Sequence, residues 1–436
     1  MNVAFSLHNA RSETARDRTS SVPRFVTRIR FQLPMALLFC VIVPVMLRGQ
    51  YWPNGRVPDT IFYATLGSGL AVLATFVLLR RLYNFPGVQT GIYTFVTVSM
   101  PFAALAAVLL VFRFDYSRFV LLTSYGFSLV WFTFIQLVNE RFIAPKLAVV
   151  PGGNADALMA LGNVNWIRLS DPSQELPYVG GVVADLRSDL CDEWEKYLAD
   201  TTLAGIPVYH TKQVAESLTG RVQIEHLSEN TFGSLLPNML YINAKQVIDW
   251  TAALIALPFF GLIVAIVGPI IKMTSDGPIF FCQSRIGYRG EEFTVYKFRT
   301  MADGPTDASD REAAKTKNDD QRITPVGRFL RKYRIDELPQ ILNILKGEMS
   351  WIGPRPEAVP LSQWYEEELP FYRYRHVVRP GISGWAQVNQ GHVVESGDVL
   401  EKLQFDFFYI KYLSPWLDVL IFMRTIETMF RGQGSK

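Results

Sequence analysis

Residues 247–271 read VIDWTAALIALPFFGLIVAIVGPII, and the path of this stretch decides which side of a membrane holds everything after it. It is long enough to cross a bilayer, which takes roughly 20 apolar residues. Pro258 stands at its middle, with Gly261 just beyond. A proline inside a helix removes one backbone bond and crowds the preceding turn, so a sharp bend is expected there. A full crossing would carry the remaining residues to the far side, whereas a bend would return them. Lys245 and Lys272 flank the stretch at both ends, so charge alone does not choose between the two paths.

Upstream lie four more apolar stretches, Leu33–Leu47, Ile61–Leu79, Gly91–Phe112 and Phe119–Val138. The first reaches spanning length only with its flanks. Arg16, Arg18, Arg24, Arg28 and Arg30 precede the first, Arg80 and Arg81 follow the second, and Arg141 and Lys146 follow the fourth. The opposite loops carry only Arg48, Arg56, Arg113 and Arg118. The positive-inside rule then places the N-terminus and the residues after Arg141 in the cytoplasm.

The 436 residues are 49% hydrophobic and 19% charged, a mosaic of membrane and soluble parts. A net charge of +3 argues against a nucleic-acid partner. Three cysteines, Cys40, Cys191 and Cys282, form no CxxC and no disulfide framework, which suits a reducing compartment. From Lys146 onward the texture alternates. Leu147–Val150, Asn165–Leu169, Gly180–Ala184 and Gly205–Tyr209 read as strands, with helices at Asp189–Leu198 and from Thr211. This is the alternation of a small parallel-sheet domain. Its first turn, Pro151-Gly152-Gly153-Asn154, is not G-x-G-x-x-G, which speaks against a nicotinamide cofactor.

The chemistry-bearing residues lie after Lys272. Asp336-Glu337 precedes LPQILNILK, closed by Gly347, and Pro339 is tolerated only in a first turn. The pair is therefore expected at a helix N-terminus, where free N–H groups favour anions. Taken alone, such a pair reads as an ordinary acidic cap. Lys297, Arg299, Arg331, Arg355 and Arg379, however, sit beside Gly, Pro or aromatic residues rather than in solvated charge runs. A carboxylate attacking a pyrophosphate must overcome repulsion between anions, and cationic side chains with a divalent ion are the usual remedy. The set points to phosphate chemistry.

GPIFFCQSRIG (277–287), YKFRTM (296–301), RITPVGRFLRKYRIDELPQ (322–340), GEMSWIGPRP (347–356) and RPGISGWAQVN (379–389) occur in that order. In these motifs the region from about Lys245 to Gly432 resembles the bacterial sugar transferases, the polyprenyl-phosphate hexose-1-phosphate transferases or monotopic phosphoglycosyl transferases. The preceding membrane helices and βα domain resemble the family's long form. The resemblance implies that Asp336 is the nucleophile that takes the sugar-phosphate while UMP leaves. It implies that Glu337 is the adjacent carboxylate associated with Mg²⁺, and that Lys297, Arg299, Arg331, Arg355 and Arg379 serve the nucleotide and phosphates. It also implies that Leu257-Pro258 marks a membrane segment that enters and leaves on the cytoplasmic side.

The expected fold is thus a membrane α-helical N-terminus, a small α/β Rossmann-like domain, and an α-rich catalytic domain anchored by a re-entrant membrane helix. The expected boundaries are a cytoplasmic segment 1–30, four transmembrane helices in 31–142, the βα domain 146–240, the re-entrant helix 245–271 broken at Pro258, and the catalytic domain 272–436. The expected partners are a UDP-sugar donor, a polyprenyl (undecaprenyl) phosphate acceptor and the bacterial inner membrane, and the N-terminal membrane region could support a homodimer. The motifs do not select the sugar: glucose and galactose stand first, then N-acetylated sugars. The competing readings are a membrane receptor that binds a nucleotide sugar without turnover and an oxidoreductase built on the βα domain. The last helix, after Ser414-Pro415, is compatible with lying on a membrane surface or packing into the core.

Overall fold

The structure is a computed structural model that describes residues 29–48, 59–82, 91–142, 146–161, 164–174, 176–177, 179–223, 237–274, 277–302, 322–369, 371–390 and 396–431. The expected segment 1–30 lies almost wholly outside these residues. The chain divides into two compact units, 1–220 and 221–436.

In the first unit, helices Asp59–Leu82, Gly91–Val111 and Arg118–Phe142 follow an opening helical run. That run begins as Ile29–Leu37, widens into a π turn at Leu38–Ile42 and resumes as Val43–Arg48. The widening falls just before Pro44, which has no N–H to give and whose ring crowds the carbonyl four residues back. Arg30–Arg48, Asp59–Leu82, Thr94–Val111 and Arg118–Val138 are each long and apolar enough to cross a membrane. They enclose a core that includes Cys40, Val72, Phe76, Val98, Phe102 and Phe132. Two polar contacts tie the last two helices together. Thr94 donates its hydroxyl to Gln136, and the hydroxyls of Ser99 and Tyr125 are 2.8 Å apart. Outward, Leu70, Leu122, Val130 and Leu137 stand exposed, a pattern that suits lipid and not water.

The rest of this unit is a four-stranded, wholly parallel sheet in the order β2-β1-β3-β4. The strands are β1 Lys146–Val149, β2 Asn165–Arg168, β3 Val182–Ala184 and β4 Val208–His210, within a residue or three of expectation. Helices Asp192–Leu203 and Thr211–Thr219 belong to two separate core clusters, one around Trp194 and Leu198 and the other around Val214. Parallel strands need this cover because they are apolar on both sides. The glycine turn after β1 is already occupied by an anion. Asp185 accepts the Asn154 N–H at 2.9 Å, and a Cβ on Gly153 would lie 2.3 Å from the same carboxylate. A cofactor pyrophosphate would meet that carboxylate there, which weighs against the oxidoreductase reading.

The second unit begins with helix Met239–Thr274, 36 residues with Pro258 and Pro269 inside it. Helical structure continues through Pro258, so the expected break is not an interruption of the helix. One proline deletes a single N–H donor, and the flanking turns carry the helix across. An antiparallel hairpin follows, β5 Phe280–Ile286 with β6 Glu292–Phe298, and later a short parallel pair, β7 Ser350–Ile352 with β8 Gly381–Ser383. Phe260 and Ile271 of the long helix share one core with Val295, Phe298, Leu330, Ile341 and Ile344. The final helix, Pro415–Arg431, is core and not a surface float: Leu417, Leu420, Ile421 and Met423 are fully buried. Its start is capped by Ser414, whose hydroxyl accepts the Leu417 N–H.

Candidate active site

Three short elements converge on the acidic pair. The first is helix Pro325–Lys332, opened by Thr324, whose hydroxyl accepts the Gly327 N–H at 2.9 Å, with Pro325 at the first helical position. Gly327 lets this helix ride directly on Thr300, since a Cβ there would lie 2.0 Å from the Thr300 carbonyl oxygen. Gly327→Ala is therefore expected to cost about 1–3 kcal/mol through overpacking. It should also lower turnover, because the helix carries Arg331; thermal unfolding and initial rate measured on one preparation check both. The helix ends at Tyr333, and Arg334 adopts left-handed backbone (φ 55°), which reverses the chain into the pair.

The pair itself lies in a 3₁₀ turn, Ile335–Gln340, and the α-helix that follows is only Ile341–Leu345. The pair stands, as expected, in the first turn of a helical run, but that turn is 3₁₀ and not α. Pro339 can close a tight turn but cannot donate into one, so regular α-helix begins after it. The negative charge is balanced by cations, not by a helix end.

Glu337 takes most of that balance. It is 5% exposed, and its Oε1 accepts Arg355 Nη2 at 2.7 Å and Lys297 Nζ at 3.2 Å. Arg334 Nη1 lies 3.6 Å from Oε2, which accepts no hydrogen bond among the described residues. Burial alone would raise the Glu337 carboxyl, but Arg355, Lys297 and Arg334 hold it well below the usual carboxylate range. Asp336 has the opposite environment. No hydrogen bond reaches its carboxyl among the described residues, and burial, then the neighbouring Glu337 charge, pushes it up to about 6 against Lys297, Arg331 and Arg355. Two adjacent carboxyls driven apart in this way divide the labour: one is a fixed anion in a cage of cations, the other an open and unusually basic oxygen. Lys297 shows the cost of the cage, since burial lowers its ammonium to about 8 despite Glu337.

Lys297 comes from β6, and Arg355 from the turn after β7. That turn is fixed from behind. Arg375 donates to the Arg355 carbonyl at 2.8 Å while bonded to Asp406 (2.9 and 3.1 Å) and to the Tyr372 hydroxyl (2.7 Å). Arg285 donates to the Pro356 carbonyl. Close approach of β7 and β8 needs Gly381, where a Cβ would meet the Gly353 nitrogen at 2.1 Å.

Of the residues singled out from sequence, Asp336, Glu337, Lys297 and Arg355 thus form one cluster, and the charge of Arg331 acts on Asp336. Arg331 Nε also donates to Thr300 Oγ1 at 2.9 Å. Arg299 Nε donates to the Met301 carbonyl at 3.1 Å. Arg379 donates to the Gly347 carbonyl at 2.9 Å and lies over the Tyr288 ring at 4.7 Å. Sequence reading missed Arg334, Arg285 and Arg375. Arg334 adjoins the pair and was the one within reach, whereas the backbone contacts of the other two leave no mark in local sequence. No group of three or more His, Cys, Asp or Glu side chains able to hold a metal exists among the described residues.

Comparison with known proteins places the chain in a family. Residues 240–432 match the model of the family described as bacterial sugar transferase. The chain is 41% identical over 420 residues to a UDP-N-acetylgalactosamine-undecaprenyl-phosphate N-acetylgalactosaminephosphotransferase of Aeromonas hydrophila, covering 95% of this chain and 98% of that protein. It is 42% identical over 189 residues to an undecaprenyl-phosphate glucose phosphotransferase of Komagataeibacter xylinus, covering 42% of this chain and 35% of the relative. It is 38% identical over 196 residues to a UDP-glucose:undecaprenyl-phosphate glucose-1-phosphate transferase of Escherichia coli K12, covering 44% and 40%. With similarity to one such enzyme along nearly its whole length, the chain is a phosphoglycosyl transferase and belongs to the bacterial sugar transferase family.

Proposed function

We propose that the protein moves a sugar-1-phosphate from a UDP-sugar to a polyprenyl phosphate through a covalent intermediate on Asp336. An Asp336 oxygen attacks the sugar-linked phosphorus, and the bond to the bridging oxygen of UMP breaks. An oxygen of the lipid phosphate then attacks the same phosphorus, and the carboxylate leaves, giving a polyprenyl-diphosphate sugar. The observation that carries this reading is the asymmetry of the pair: Glu337 holds the cations, and Asp336 is left without hydrogen bonds among the described residues and more basic than an ordinary carboxylate. Lys297, Arg331 and Arg355 supply fixed positive charge where two anions must meet. Release of UMP across a panel of UDP-sugars, with polyprenyl phosphate present, tests the proposal directly. UDP-N-acetylgalactosamine and UDP-glucose come first in that panel, because relatives are named for them.

Magnesium belongs to the same proposal. The site fits it in one respect, the Glu337 Oε2 that accepts no hydrogen bond among the described residues. Protein Mg²⁺ sites commonly use one or two carboxylates and complete the shell with water and substrate phosphates. When bound, the ion would neutralise charge on the donor's diphosphate. Glu337 would hold it, while the surrounding cations keep that carboxylate ionised.

The membrane arrangement we infer is re-entrant, with the catalytic unit on the cytoplasmic face of the bacterial inner membrane. Its support is the way one helix serves one domain at both ends. Lys245 pairs with Asp418 at 2.8 Å, Asp249 accepts the Ser350 hydroxyl, Phe260 lies 6.3 Å from Phe298, and Ile271 is buried in the same core. The other face, with Ile255, Phe259, Leu262 and Ile266 at 64–66% exposure, is free for lipid. A straight helix of this length would be about 54 Å long. Crossing a core of about 30 Å would pull contacts of the soluble domain into the bilayer. Single cysteines placed before Lys245 and after Lys272 should label from the same side in intact cells; opposite accessibility would rule the arrangement out. The βα domain, a small parallel sheet in the order β2-β1-β3-β4 that we read as Rossmann-like, is proposed as a structural or regulatory module.

The two shifted groups set a pH profile. Asp336 must be ionised to attack, so turnover should fall as pH drops below about 6. Lys297 must be charged, so turnover should fall again above about 8. A bell with its top near neutrality is expected in kcat/KM for the donor. Lys297→Arg should remove the alkaline limb, and an unchanged limb in that variant would detach it from Lys297.

A further inference from the structure

Helix Pro325–Lys332 has two faces with different surroundings. Inward, Leu330 is 2% exposed, Val326 packs into the core shared with Phe260, and Arg331 reaches Thr300. Outward, Arg328, Phe329, Lys332 and Tyr333 are all exposed. Phe329 is 56% and Tyr333 37% exposed, with their rings 4.9 Å apart. Single exposed apolar residues are ordinary on protein surfaces. Two aromatics in contact, their rings tilted by 56°, interleaved with two cations at one-turn spacing make a different surface. Aromatic rings settle at the level of lipid headgroups, and long cationic side chains reach from there to phosphates. The helix also packs on Met239–Thr274, which exposes Ile255, Phe259, Leu262 and Ile266.

We propose that this face receives the lipid acceptor, with Phe329 and Tyr333 bearing on the isoprenoid chain next to its phosphate and Arg328 and Lys332 drawing the phosphate in. This rests on the transfer reading above and deepens it. The acceptor is favoured over bulk lipid by position. The face ends three residues before Asp336, on the helix whose inward Arg331 already acts on that carboxyl. A bilayer anchor needs no such proximity, whereas a lipid phosphate that must attack at Asp336 does.

The test uses the full chain in detergent micelles and in vesicles, with Phe329→Ser/Tyr333→Ser and Arg328→Gln/Lys332→Gln as two double variants. Two readouts are compared: the burst of UMP with donor alone, and the KM for polyprenyl phosphate in steady state. Both variants should keep the wild-type burst and raise the acceptor KM tenfold or more. For the aromatic variant the loss should shrink with a short-chain acceptor. An unchanged acceptor KM would overturn the proposal, as would a burst that falls in parallel with acceptor turnover. Weakened vesicle binding with an unchanged KM in micelles would also overturn it, by making the face a bilayer anchor. A wild-type protein without any burst would instead remove the covalent mechanism beneath it.

Discussion

Asp336→Asn should abolish transfer, with turnover reduced at least about a thousand-fold and no phosphosugar adduct detectable by mass spectrometry after exposure to donor. An amide has the shape of the carboxyl but not the charge to attack phosphorus. The same change should leave the fold intact and raise its thermal midpoint at neutral pH. Asp336 accepts no hydrogen bond that an amide would forfeit among the described residues, and its carboxyl is raised to about 6, chiefly by burial. The sign follows from proton counting. Between the unfolded value near 4 and the folded value near 6, the native state binds more protons than the unfolded one, so stability falls as pH rises through that window. Above it, wild-type carries the full cost of a buried charge and the Asn variant carries none. The stability gain should therefore be largest above pH 6 and fade toward pH 4. Near-normal turnover in the variant would take the nucleophile's role away from Asp336. A lower midpoint at neutral pH would show that its surroundings stabilise the Asp336 carboxylate and do not penalise it.

Much of this molecule is legible in sequence because its membrane and sheet parts obey short-range rules. The apolar runs and their flanking arginines locate the upstream helices, and each strand of the parallel sheet was found within a few residues. Alternation of apolar runs with turn residues is a local signal. The acidic pair and its cations could be nominated because Lys297, Arg331 and Arg355 sit in rigid Gly, Pro and aromatic settings. Their division of labour could not. Nothing in Asp336-Glu337 says which carboxyl is caged; that depends on Lys297 and Arg355 arriving from separate elements, with the Arg355 turn bonded from behind by Arg375. The type of the first turn is hidden from the sequence for a related reason. Pro339 is compatible with either an α or a 3₁₀ first turn, and the left-handed Arg334, fixed by tertiary packing, selects the tighter one.

Removing the strongest member of the cage gives the second large effect. Arg355→Ala deletes the 2.7 Å bond to Glu337 and leaves a 5%-exposed carboxylate with Lys297 and the more distant Arg334. Stripping one partner from a buried ion pair typically costs 3–5 kcal/mol, and two remaining cations argue for the lower end, about 3 kcal/mol. Turnover should fall with it, roughly a hundred-fold or more, because Arg355 also offsets the negative charge gathering at Asp336. Arg355→Lys should recover part of both, since it restores the charge without the guanidinium fork. The decisive comparison is the double variant Arg355→Ala/Glu337→Gln. If the stability loss comes from an uncompensated buried charge, neutralising Glu337 should return most of it, giving a coupling of at least about 1 kcal/mol in a double-mutant cycle. Activity should not return, because the cations are there to serve an incoming diphosphate and the glutamine restores none of them. Additive stability losses would mean that the two side chains stabilise the fold independently. The cage would then be a coincidence of packing, not the electrostatic frame that leaves Asp336 free to react.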